Sequence, residues 1–64
     1  MITCRLKDIL DEEEISVRWL SLRCGVSVRS LYRYINEERI PDLLIASKIA
    51  ESLGARVDDI WRFY

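Results

Sequence analysis

Residues 17–36, VRWLSLRCGVSVRSLYRYIN, decide how this chain is read. Two helices that cross steeply over a short turn need a small residue where their backbones approach, and Ser21 provides it. Four positions later the turn needs a residue at ease with positive φ, which Gly25 supplies. Val26 follows as a core plug. Leu20 and Cys24 then fall on the inner face of one helix, and Leu31, Tyr34 and Ile35 on the inner face of the next. Ser16 and Ser27 stand where N-caps belong, so the spacing predicts helices over Val17–Arg23 and Val28–Ile35. The stretch is a helix-turn-helix.

Outward from it, the remaining signals are also helical. Leu6, Ile9 and Leu10 predict a first helix over Leu6–Glu13. The acids Asp11–Glu14 at its C-terminal end oppose the helix dipole and read as a solvated turn. Pro41 marks a break. Asp42 can cap a fourth helix carrying Leu43, Ala46, Ile49, Ala50 and Leu53, which Gly54 ends. Val57–Trp61 forms a last short helix offering Val57, Ile60 and Trp61 to the core. Strand alternation is almost absent. The expectation is a compact all-α domain of five helices spanning residues 1–64.

Half of the 64 residues are apolar and a third are charged, as in a globular chain. A chain this short buries only about 60% of the surface its unfolded form exposes. It has one small core and no room for an effector domain, so signal sensing is expected to reside in a partner. Cys4 and Cys24 are twenty residues apart with no histidine, which is not a metal-ligand spacing. They read as reduced thiols in a cytoplasmic protein without metal, cofactor or small-molecule ligand. The opening MITCRLKD has no long apolar run, and no stretch approaches the ~18 residues of a membrane span. Catalysis is excluded, for want of histidine and of any nucleophile placed beside a base.

The charge of −1 hides an asymmetry. Residues 1–14 carry Arg5 and Lys7 against five acids. Residues 15–36 carry Arg18, Arg23, Arg29 and Arg33 with no acid. Residues 37–64 carry four bases and six acids. One stretch is positive and its flanks are negative, a pattern that favours a single surface for a polyanion.

The segments ISVRWLSLRCGVSVRSLYRYINEERIP and LLIASKIAESLGARVDDIW resemble the Cro and lambda-repressor-like (XRE) helix-turn-helix family over nearly the whole chain. The resemblance implies a small transcriptional regulator, a repressor that binds double-stranded DNA as a homodimer with its third helix in the major groove. Such a dimer reads a palindromic operator with half-sites about one helical turn apart. Three positions depart from the family: Val17 replaces a common glutamine, Asn36-Glu37 replaces Asn-Gly, and Arg56 replaces a small cap.

On the third helix the outward residues Val28, Arg29, Tyr32 and Arg33 are the base-contact candidates. Arginine pairs bidentately with guanine, and valine packs on a thymine methyl. Arg18, Ser27, Ser30, Asn36 and Arg39 are the phosphate candidates.

More apolar surface is present than so small a core can hide. Trp19 either folds over the first helix or stays exposed beside Leu22. Leu44 and Ile45 sit beside the core stripe of the fourth helix. The tail carrying Trp61, Phe63 and Tyr64 is either a dimer interface or a short strand paired with Ile2–Arg5, within one chain or across a dimer. The rival functional reading is a protein-interaction module on the same fold, an antirepressor or antitoxin-like domain.

Overall fold

The computed structural model describes residues 1–63. In chain order its elements are β1 (Ile2–Cys4), α1 (Leu6–Glu12), α2 (Val17–Cys24), α3 (Val28–Ile35), α4 (Leu43–Ser52), α5 (Val57–Ile60) and β2 (Trp61–Phe63). The five expected helices are present with ends within one residue of expectation. The helical class stands, but strictly all-α does not. β1 and β2 form an antiparallel ribbon that pairs Ile2 with Phe63, Thr3 with Arg62 and Cys4 with Trp61. Strands of three residues are too short to show a two-residue period, and their pairing joins the two ends of the chain. The Arg5 N–H extends the ladder by donating to the Ile60 carbonyl at 2.7 Å. Trp61, expected in the last helical turn, is extended instead, at φ −108° and ψ 114°. Tyr64 and its expected interface role lie outside the described residues.

The helix starts follow from their caps. The side chains of Ser16, Ser27 and Asp42 accept the backbone N–H of Trp19, Ser30 and Ile45 at 3.0, 3.1 and 2.8 Å. Each such cap contributes about 1 kcal/mol. At α5 the N-cap is Arg56, whose side chain has no acceptor, and the Asp59 carboxylate takes the Arg56 N–H instead, at 3.0 Å. The α1 end runs through Glu13 into Glu14 at φ +56°, with all four acids of Asp11–Glu14 exposed.

Every helix contributes one fully buried aliphatic side chain: Leu6, Leu20, Leu31, Ile49 and Ile60. Leu10, Cys24, Val26, Tyr34 and Ala50 complete the cluster, and among the described residues no polar or charged side chain is buried. Truncating one of the five to alanine costs about 2–5 kcal/mol, comparable with the whole stability of so small a domain. α2 packs on both α3 and α4, which fixes the helix pair to the core. Leu43, expected in the α4 core stripe, is 75% exposed. It occupies the first helical position, two residues after the buried Pro41, and both residues line a surface hollow.

Candidate nucleic-acid interface

The α2–α3 turn is clasped from both sides of Ser21. Its carbonyl accepts the Gly25 N–H at 2.9 Å, and its hydroxyl donates to the Val26 carbonyl at 2.6 Å. Gly25 has φ +74°, where a β-carbon is disfavoured. Ser21 is thus both the small residue and the hydrogen-bond donor that holds the two helices at their angle. Its size was legible in the sequence; its bond to Val26 was not.

Held this way, α3 turns Leu31 and Tyr34 inward and presents Val28, Arg29 and Tyr32 to solvent. Arg33, on the same helix, is half-buried. On α2, Arg18 is exposed, and the Arg23 guanidinium lies over the Trp19 ring, 5.5 Å from its centroid. Trp19 stays 42% exposed under that cation, beside Leu22 at 79%. Among the described residues none of these four arginines forms an ion pair, while the exposed Arg56 and Asp58 approach to 3.8 Å. The positive stretch therefore keeps its charge free for an external anion.

The phosphate candidates divide. The Ser27 hydroxyl caps α3 and donates to the Ser30 hydroxyl at 3.0 Å, which leaves the Ser30 proton free to donate outward. Asn36 is exposed beyond the α3 end, with its amide 3.5 Å from the Glu38 carboxylate. A hollow of about 420 Å³ between α1, the start of α2 and α3 is lined by Tyr32 and Asn36 together with Ser16, Val17, Asp11 and Lys7. Lys7 was missed by sequence reasoning, because it belongs to a segment whose sum is acidic. Its signal was local: it lies beside the Leu6–Leu10 stripe rather than with the acids further on. Arg39 lies elsewhere, on the rim of an apolar hollow beneath the ribbon, with Glu37.

Cys4 and Cys24 are free thiols, and among the described residues no three potential metal ligands come together. Burial pushes the Cys4 thiol above its ordinary value. No helix of the described residues is long and apolar enough to cross a membrane.

A clasped helix pair whose second helix shows a free cationic face defines a helix-turn-helix DNA-binding domain. The chain belongs to the helix-turn-helix family of Cro/lambda-repressor-like (XRE) transcription regulators, whose model matches residues 6–60. That span begins with α1 and ends with α5, leaving the ribbon outside it. A search of the curated proteins found no match.

Proposed function

We propose that the protein is a cytoplasmic repressor of transcription that binds a palindromic operator as a homodimer, with α3 in the major groove and no cofactor. The observation that carries this reading is the face of α3, where Val28, Arg29 and Tyr32 stand exposed beside the half-buried Arg33, and neither arginine forms an ion pair among the described residues. Arg29 and Arg33 lie one turn apart and reach neighbouring base steps, each suited to guanine. Val28, 38% exposed, offers its methyls to thymine, and Tyr32 contacts a base or the adjoining backbone. Arg18, Ser27, Ser30 and Asn36 supply phosphate contacts, and Lys7 joins them from α1. Arg39 is kept out of this set because it lines the other hollow.

The test is selection of bound sequences from a random duplex pool, followed by affinity measurements at rising salt. Enrichment of a two-fold sequence is expected, with affinity falling steeply as counterions are released. A pool that yields no enriched sequence at any salt overturns the reading. The exposed pair Trp19 and Leu22 favours a second reading, a protein-interaction module on the same fold. In that case association with a partner persists at salt concentrations that abolish DNA binding.

A further inference from the structure

α2 turns Leu20 and Cys24 into the core and leaves Trp19, Leu22 and Arg23 on its outer side, at i, i+3 and i+4. Leu22 is 79% exposed and Trp19 42%, so the core makes little use of either side chain. The Arg23 guanidinium lies over the Trp19 ring, 5.5 Å from its centroid. A cation seated on an aromatic ring is held in place but not neutralised. The result is an exposed apolar strip with a fixed positive charge against it.

Beyond Arg23 the strip meets a hollow of about 310 Å³ between α2 and α4, lined by Arg23, Cys24, Lys48, Glu51 and Ser52. Two bases and one acid border it, and among the described residues none of the three forms an ion pair. The α3 residues proposed to read bases do not line it. Trp19, Leu22 and Arg23 thus stand apart from the set assigned to duplex binding.

We propose that this strip of α2 is the docking site for an acidic amphipathic helix of another protein, which lays a large apolar side chain across Trp19 and Leu22 and sets carboxylates against Arg23 and Lys48. Charge decides the occupant. Residues 15–36 hold four arginines and no acid, so a second copy presenting the same strip meets base with base. A duplex backbone answers arginine but offers an exposed leucine nothing apolar to bury against. An acidic helix with an apolar stripe answers all four side chains at once. Tryptophan and arginine are also the side chains that most often anchor interfaces, the ring because it buries a large area at little cost in side-chain freedom. The inference goes beyond duplex binding by α3 and does not depend on it.

Peptides selected from a random displayed library on the immobilised full chain, then titrated one by one against the isotope-labelled protein in nuclear magnetic resonance, test the proposal. The selected sequences are expected to carry acids and large apolar residues at helical spacing. Their binding should shift the Trp19 indole N–H and the Leu22 and Arg23 amides. Leu22→Ser and Arg23→Glu, both at exposed positions, should each weaken it about tenfold or more, while Arg29→Ala leaves it unchanged. Circular dichroism checks that each variant is folded. A library that yields no binder, binders without acids, wild-type affinity in Leu22→Ser and Arg23→Glu, or loss of binding in Arg29→Ala overturns the proposal. So does loss of duplex affinity in Leu22→Ser, which assigns the strip to DNA. A chain that binds the peptides but no duplex leaves the strip standing and defeats the α3 reading, so the two failures are distinguishable.

Discussion

Replacing Glu37 by glycine measures the cost of its backbone conformation. At φ +60° a residue with a β-carbon carries about 1–2 kcal/mol of left-handed strain. Glycine removes that strain but loses about 0.5–1 kcal/mol through the greater freedom of its unfolded chain. At the middle of both ranges the net gain is about 0.8 kcal/mol, which in a domain of this size raises Tm by roughly 3–6 °C. Thermal melts in dilute solution read the gain. Glu14→Gly, at φ +56°, carries the same kind of strain and should gain similar stability. A Glu37→Gly protein that melts below wild type refutes the strain argument.

On DNA, Arg29→Ala should lose about 1–3 kcal/mol of specific binding and relax preference at one base pair without lowering Tm. Arg33→Ala, at a half-buried position, should lower both affinity and Tm; equal effects in the two variants contradict the placement of these side chains. Ser21→Ala removes the donor to the Val26 carbonyl and should cost about 1–2 kcal/mol, read as a lower melting temperature. An unchanged Tm means the clasp is idle. The Cys4 thiol is pushed above its ordinary value near 9, chiefly by burial, with the Glu37 carboxylate acting in the same direction. A raised folded value means that the folded chain holds this proton more tightly than the unfolded chain. The associated stability is complete below pH 9 and is lost as pH rises through the raised value. The urea midpoint of wild type should therefore fall more steeply above pH 9 than that of Cys4→Ala, and parallel curves reject the shift.

The helical part of the fold was legible because its signals are local. Ser16, Ser27 and Asp42 cap the helices they precede, and Gly25 has the positive φ its place in the turn requires. The ribbon was not legible as a commitment, because Ile2 and Phe63 are partners from opposite ends of the chain and three residues show no period. Leu43 was misplaced for a related reason. Its spacing suits the core stripe, but it stands at the first position of α4, one turn before the buried Ala46, and borders a surface hollow. In the candidate site, Arg29 and Tyr32 followed from helical phase alone. Lys7 and Arg39 did not, since a charge count by segment says nothing about which hollow each side chain borders.

That difference between segment and surface also resolves the conflict between a net charge of −1 and a polyanionic ligand. The domain measures 29 × 21 × 19 Å along its principal axes. At physiological salt the Debye length is about 8 Å, so acids on the far side of such a body are largely screened from a phosphate at α3. In the proposed complex a phosphate meets a local set, Arg18, Arg29, Arg33 and Lys7, with Asp11 in the hollow that Lys7 lines. At about 0.01 M salt the Debye length grows to ~30 Å, longer than the domain, and the acidic remainder comes into view. Approach to DNA should then gain less from further dilution of salt than a basic domain with the same contacts would, because the charge outside residues 15–36 sums to an excess of acid.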